Sequence, residues 1–375
     1  MTVHWPPAAH SFPAERLNEF LIWAWELGAS DVSFQTAEPV VIEVDGRCRD
    51  ATACAVDDIV MGQIVARIRG ATAEGLLRSG KVIDCSYAVR VSRGRDIRFR
   101  CNLTAVEVSQ GFGINVTMRI LPGVPQTLEE LGIEGEIVEA LEECAGLNLV
   151  TGVPGSGKST LLAAGTRRLL EMGVGRIQSY EAPIEFLFAN VKKAPGAQMS
   201  SSEIPLHVES FAEGLRASLR RRPTAVVVGE ARDRETVEAA LAAGNFGIAV
   251  YSTTHTIGVA NTIRRLLEEF REEERDERGG ALIDMLHLVV TQVLLANPKG
   301  GRTALREWLV FDAGLKDELL ELPRQAWARR IAEALRERGN GLALRATEAA
   351  SEGRIGARDL ARLQALHGVA GERTR

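Results

Sequence analysis

Nine consecutive residues offer the most defined chemistry in the chain: Gly152, Val153, Pro154, Gly155, Ser156, Gly157, Lys158, Ser159 and Thr160. Their spacing is G-x-x-x-x-G-K-[ST]. An apolar run (Leu147, Leu149, Val150) precedes them and a helical pattern follows, which is the context a phosphate-binding loop requires. Backbone that folds around a polyphosphate must turn tightly, approach the oxygens closely and aim its N–H groups inward, and glycine permits all three. Lys158 supplies a point charge for the β- and γ-phosphates, Ser159 a hydroxyl for Mg2+, and the helix beginning here the positive end of its dipole. A glycine-rich turn that binds nothing would carry similar letters, but the flanks favour the phosphate site.

Such a loop accounts for holding a nucleotide, not for cleaving it. Cleavage needs a group at the end of a nearby strand that orients a water in line with the γ-phosphate. The run Ala225-Val226-Val227-Val228-Gly229-Glu230 is long enough for a buried strand and ends in a carboxylate, so Glu230 is the candidate for polarising that water. An acid at a strand end also caps helices, which is the weaker reading at the end of a central strand. Glu181 follows another strand, 177–180, and so sits at the carboxyl edge where doubly wound sheets bind ligands. Glu181 or Glu185 would hold the water shell of Mg2+ or share in activating water. His255 follows a third strand, with a structural role and a γ-phosphate-sensing role both open.

These groups need a sheet and helices to carry them. Strands expected at 177–180, 225–228 and 248–252 alternate with helical stretches at 208–222 and 234–243, the signature of a largely parallel sheet with helices on both faces. Helical segments at 127–131 and 134–144 lead into the loop. Upstream, residues 14–27 read as an amphipathic helix closed by Gly28, 32–34 and 40–44 as strands with a type I′ hairpin at Asp45-Gly46, and 57–69 as a second helix. Residues 82–91, 97–108 and 112–120 follow as strands, with turns at Arg93-Gly94 and Gln110-Gly111. The fold class is α/β: a P-loop domain at 127–322 after a smaller α+β domain at 1–121. Leu121-Pro122-Gly123-Val124-Pro125 lies at the junction, and 122–126 is expected to act as a short stiff linker. The charged run 268–278 reads as a solvated helix end or loop, and 323–375 as a tail of small helices with glycine breaks.

At 375 residues the chain exceeds one ordinary core, and its net charge of −5 gives no global basic field for nucleic acid. No apolar run reaches the length of a membrane span, and the start (Thr2, His4, Trp5, Pro6, Pro7) has no basic segment leading into an apolar one. A cytoplasmic location is therefore expected. The five cysteines (Cys48, Cys54, Cys85, Cys101, Cys144) are scattered and suit reduced, mostly buried thiols. Arg90, Arg93, Arg95, Arg98, Arg100 and Arg119 cluster in the N-terminal strands, where a solvated sheet face is their ordinary reading.

The ordered set of Gly152 to Thr160, Glu181-Ala182-Pro183-Ile184-Glu185, Val226 to Glu230 with Ala231-Arg232-Asp233, and Thr254-His255-Thr256 resembles the Walker A, Asp box, Walker B and His box of secretion-superfamily ATPases. That superfamily includes type II secretion and PilT-like type IV pilus motors and type IV secretion ATPases. The resemblance spans about residues 14–320. Ala182 stands where a second acid is usual, Leu219-Arg220-Arg221-Arg222-Pro223-Thr224 where L-R-x-D-P-D is common, and Ile248 where many pilus motors carry a first histidine. A tetracysteine zinc insertion is absent, and Glu307 to Leu320 does not resemble the alanine-arginine-asparagine-leucine segment of retraction motors. The pattern is most similar to the DotB/TraJ ATPases of type IVB secretion and IncI-type conjugation.

The resemblance implies a RecA-like ATPase domain behind a PAS-like N-terminal domain, ATP and Mg2+ as cofactors, and a homohexameric ring peripheral to the inner membrane. It also implies partners in a membrane-embedded secretion or conjugation machine, with no stable nucleic-acid binding. In such rings arginines of one subunit reach the neighbour's γ-phosphate, which marks Arg98, Arg100 and Arg119, with Arg220 as another, and gives the linker the role of a hinge. A type IV pilus retraction motor, a nucleic-acid translocating motor and a non-hydrolysing scaffold are the competing functions.

Overall fold

The computed structural model describes Trp5 and residues 12–92, 95–109 and 111–367. The turn expected at Arg93-Gly94, Gln110, the other N-terminal residues read for a leader, and the break at Gly368 lie outside the described residues. The chain divides into two compact units: residues 1–124 with 183–187, and residues 125–182 with 188–375.

In the first unit a 3-10 turn (Ala14–Arg16) runs into α1 (Leu17–Glu26), whose Leu17, Phe20, Leu21 and Ala24 are fully buried at helical spacing. Gly28, at φ 76°, takes the left-handed conformation that lets the chain leave the helix. Strands β1 (Ala29–Gln35), β2 (Pro39–Val44) and β3 (Arg47–Ala55) precede α2 (Asp58–Arg69) and α3 (Ala73–Arg78). Strands β4 (Ile83–Ser92), β5 (Arg95–Val108) and β6 (Gly111–Leu121) complete a six-stranded sheet ordered β3-β2-β1-β6-β5-β4. Asp45 and Gly46 both have positive φ, as a type I′ turn demands, and Val44 pairs with Arg47 across it. Asp57 caps α2 by accepting from Val60 N at 2.8 Å. Phe12, Phe20 and Phe34 meet at centroid distances of 5.3 to 5.7 Å and seal α1 onto the sheet.

The second unit begins with a correction. Residues 127–131 form a single hydrogen-bonded turn rather than a helix. Thr127 and Glu130 cap each other, the N–H of each residue donating to the other's side chain, and Gly132 at φ 58° ends the turn before a second can form. Then come α4 (Gly135–Glu142), β7 (Leu147–Thr151), α5 (Lys158–Met172), β8 (Arg176–Glu181), β9 (Gln198–Glu203), α6 (Phe211–Arg221), β10 (Ala225–Val228), α7 (Arg234–Asn245) and β11 (Ala249–Thr254). They are followed by α8 (Val259–Glu268), α9 (Arg275–Met285), β12 (Leu286–Ala296) and β13 (Arg302–Val310). The seven-stranded sheet runs β13-β12-β7-β11-β10-β8-β9, parallel throughout except where β13 pairs antiparallel with β12. Strands β7, β10 and β11 are buried at every residue, as a parallel sheet covered on both faces requires.

The charged run 268–278 is largely exposed and spans the end of α8, a 3-10 turn and the start of α9, as expected of a solvated helix end or loop. Its second half starts α9, and its acids bind distant arginines: Arg234 with Glu274 at 2.8 Å, and Arg324 with Glu272 at 2.6 Å. Helices α10 (Ala313–Glu321), α11 (Trp327–Glu337), α12 (Leu342–Ser351) and α13 (Ala357–His367) close the described chain. Trp327 and Ile331 join the main core, while Leu342, Ala346 and Leu363 pack with Val293 and Leu305 of the last hairpin. Of the cysteines only Cys85 and Cys101 are buried; Cys48 is exposed and Cys54 and Cys144 are intermediate, so the expectation of mostly buried thiols is corrected.

Candidate functional site

Strand β7 delivers the chain to the carboxyl edge of the sheet, and the glycine-rich loop turns it into α5. Gly157 occupies the N-cap of α5 at φ 86°, a conformation only glycine adopts without strain. A Cβ on Gly152 would lie 2.3 Å from the carbonyl oxygen of Gln292, so this close approach of loop to strand also requires glycine. The Lys158 ammonium, 7 % exposed, donates to the carbonyls of Gly152 at 2.9 Å and Val153 at 3.1 Å. It also lies 3.3 Å from His255 Nδ1.

His255 follows β11, and its Nε2 lies 3.6 Å from Glu230 Oε1. An ammonium only donates, so Nδ1 must present its lone pair to Lys158, and the ring proton of neutral His255 then sits on Nε2, facing Glu230. Lys158, His255 and Glu230 therefore form a line of cation, imidazole and carboxylate at the strand ends. Glu230 is fixed from both sides: Gly229 N donates to Tyr180 O at 2.8 Å, Thr253 Oγ1 to Gly229 O at 2.6 Å, and Ala231 N to Thr253 O at 2.9 Å. Tyr180 itself is buried, which pushes its phenol above the ordinary range and keeps it neutral. A cavity of about 60 Å³, lined by Glu230, Arg232, His255, Arg265 and Glu269, has room for a few waters beside the Glu230 carboxylate.

The loop's polar atoms fit a phosphate guest. Ser156 Oγ is buried without a hydrogen-bond partner, an arrangement that costs stability unless something else supplies one. Ser159 is exposed in the first turn of α5. Among the described residues no cluster of three or more His, Cys, Asp or Glu side chains is arranged to hold a metal ion. A magnesium ion that shares its shell with phosphates and waters needs few protein ligands, and the Ser159 hydroxyl fits that demand. Beside Gly157 a cavity of about 270 Å³ is walled by Leu131, Leu161 and Leu294, with Gln292, Arg302 and Arg306 among its polar lining residues.

The remaining expected residues divide between the units. Glu181 ends β8 in the same unit as the loop, whereas Glu185 lies in the segment 183–187 grouped with the N-terminal unit. Arg98, Arg100 and Arg119 belong to that N-terminal unit and share one face of its sheet, since Arg100 pairs directly with Arg119 and stands two residues from Arg98. Arg98 donates to Ile184 O at 2.9 Å, and Arg119 pairs with Asp31 at 2.8 Å while 70 % exposed. Arg220 is exposed in the last turn of α6.

Two residues of the loop's surroundings were not anticipated. Gln292 of β12 donates through Nε2 to Ser156 O at 2.6 Å and accepts from Arg306 Nε of β13 at 2.7 Å. Neither belongs to a motif, and only the strand pairing brings them to the loop.

The family described as Type II/IV secretion system protein matches residues 8–336. The crystal structure of the ATPase DotB from Legionella pneumophila is 36 % identical, with a TM-score of 0.89 over 96 % of this chain and 98 % of that one. The pilus retraction motor PilT with bound ADP is 26 % identical, with a TM-score of 0.81 over 92 % and 96 %. The type IV pilus retraction ATPase PilT of Pseudomonas aeruginosa is 31 % identical over 306 residues, 81 % of this chain and 85 % of that protein. The two units accordingly are a RecA-like P-loop ATPase domain and a smaller N-terminal α+β domain.

Proposed function

The chain belongs to the type II/IV secretion system protein family, and on that basis we propose that it is a cytoplasmic, Mg2+-dependent ATPase. In this reading it hydrolyses ATP to ADP and phosphate, works as a homohexameric ring, and powers a type IVB secretion or conjugative transfer apparatus at the inner membrane. The observation that carries the reading is the Lys158–His255–Glu230 line beside the glycine loop.

The Lys158 ammonium now held by loop carbonyls is drawn to the β- and γ-phosphates, which outcompete neutral carbonyls for a cation. Ser156 Oγ and the loop N–H groups complete the anion cradle, and the base takes the cavity that Leu131, Leu161 and Leu294 share with Gln292 and Arg306. Bound Mg2+ supplies charge neutralisation at the phosphates, with Ser159 as its protein ligand. Glu230 orients and deprotonates the attacking water, Glu181 shares in ordering that water, and His255 reports phosphate occupancy by losing or keeping Lys158 as its partner. Arg98, Arg100 and Arg119 act on the γ-phosphate of a neighbouring subunit, and Glu185 is the alternative to Glu181 for the water shell of Mg2+. The sheet face shared by the arginines supports their role, with Arg100 exposed on it opposite Arg119.

Residues 122–126 serve as the hinge between the domains. Each end is tied to its own unit: Leu187 N donates to Gly123 O at 3.3 Å, and Arg167 Nη1 to Pro125 O at 2.7 Å. A pilus retraction motor is the second reading, favoured by the likeness to PilT. Expression in a secretion-deficient and in a twitching-deficient host separates the two, since restored substrate transfer supports the first and restored twitching the second. The enzymatic core of the proposal is tested by phosphate release from purified protein, which should require Mg2+ and vanish in Lys158→Ala.

A further inference from the structure

We propose that Gln292, clamped by Arg306, is a positioning residue that sets the Ser156–Gly157 peptide for phosphate binding. This rests on the nucleotide-binding reading above. A trans peptide is planar, with its C=O and N–H pointing in opposite directions. Gln292 Nε2 holds the Ser156 carbonyl toward β12 at 2.6 Å, so the Gly157 N–H is turned away from that strand, at the very start of α5.

An amide side chain does this only in one of its two flip states. Arg306 removes the choice, because its Nε–H, 2.7 Å from Gln292, faces an acceptor and rejects a donor. Flipped, Gln292 would set N–H against N–H on one side and oxygen against the Ser156 carbonyl on the other. Arg306 is itself locked: 4 % exposed, it donates to Gly132 O at 3.2 Å, Leu131 O at 3.3 Å and Glu134 Oε2 at 3.1 Å. Contact is close enough to transmit the constraint, since a Cβ on Gly157 would lie 2.7 Å from Gln292 Nε2.

The test is nucleotide titration with fluorescent ATP and ADP analogues, alongside thermal melts and steady-state kinetics of full-length protein. Gln292→Met keeps the volume and removes the donor. It should weaken binding of both nucleotides and of inorganic tripolyphosphate at least tenfold and leave kcat at saturation within about threefold, the pattern of an interaction equal in ground and transition states; unchanged tripolyphosphate affinity would make Gln292 a wall of the base cavity only and overturns the proposal. Arg306→Met should weaken both about threefold to fivefold by freeing the amide to flip, and the double variant should match Gln292→Met rather than the product of the two. A purely structural role would lower the melting temperature without changing the dissociation constant of the folded protein, and that result overturns the proposal. So does affinity within twofold of wild type in Gln292→Met, or multiplicative effects in the double variant. If Gln292→Met does not fold, Gln292→Glu decides: it keeps the Arg306 partner but sets an acceptor against the Ser156 carbonyl, and wild-type affinity there overturns the proposal. Wild-type protein that binds neither nucleotide overturns the function reading and this inference together, whereas binding wild-type protein with unaffected variants overturns this inference alone.

Discussion

At the scale of single residues the account turns on which contacts are made only when phosphate is present. Lys158 has two carbonyls and a histidine nitrogen within reach, so Lys158→Ala should weaken ATP binding by at least tenfold, read by titration with a fluorescent analogue. His255 touches the same ammonium and lies beside Glu230. Its replacement by Ala should lower kcat about 10- to 100-fold and leave ADP affinity within twofold; an equal loss in both would assign it to binding alone. Gly152→Ala should abolish nucleotide binding, because its Cβ would meet a strand carbonyl rather than a flexible side chain. Lys158, Glu230 and His255 were legible in the sequence because each stands just beyond an expected strand, and strand ends are where such sheets place their chemistry. Gln292 and Arg306 were not, because a polar residue within a strand shows its purpose only after the neighbouring strand is known.

Among the elements, the same limit explains what pattern reading found and missed. Strands β7, β8, β10 and β11 lie between turn signals and helical stretches and were expected, β7 as the strand leading into the loop. Leu286–Ala296 is an apolar-rich run, broken by His287, Thr291 and Gln292, whose periodicity does not separate strand from helix, and β3 (Arg47–Ala55) buries only small residues, Ala51 and Thr52, so neither announced itself. The turn at 127–131 carried a helical start but met Gly132 too soon. Caps make testable claims here. Asp312 caps α10, and the Leu315 N–H together with Arg338 holds its carboxyl below the ordinary range. A carboxyl lowered on folding contributes stability that is present above its unfolded pKa, near 4, and is lost as pH falls through the lower folded value. Asp312→Ala should therefore cost about 1 kcal/mol at pH 7, and the gap between variant and wild type in denaturant melts should shrink on acidification toward pH 3. A gap that stays constant would remove the carboxylate from the cap.

On the scale of the whole molecule, the three arginines lie in one domain and Glu230, the proposed water-activating carboxylate, in the other, so the proposed ring predicts complementation. Arg100→Ala and Glu230→Gln should each be nearly inactive, yet mixing them after dissociation and reassembly should restore activity at interfaces that join an intact arginine to an intact glutamate. A mixture no more active than its parts would place Arg100 outside the neighbour's site. The ring also predicts specific activity that falls on dilution, as subunits separate. All of these depend on one claim, that ATP bound over Lys158 is cleaved through Glu230. Its most direct test is a single-turnover experiment on Glu230→Gln protein loaded with Mg2+ and ATP. The account predicts that ATP is retained with wild-type affinity while phosphate release slows by about 100-fold or more; release at the wild-type rate would contradict it.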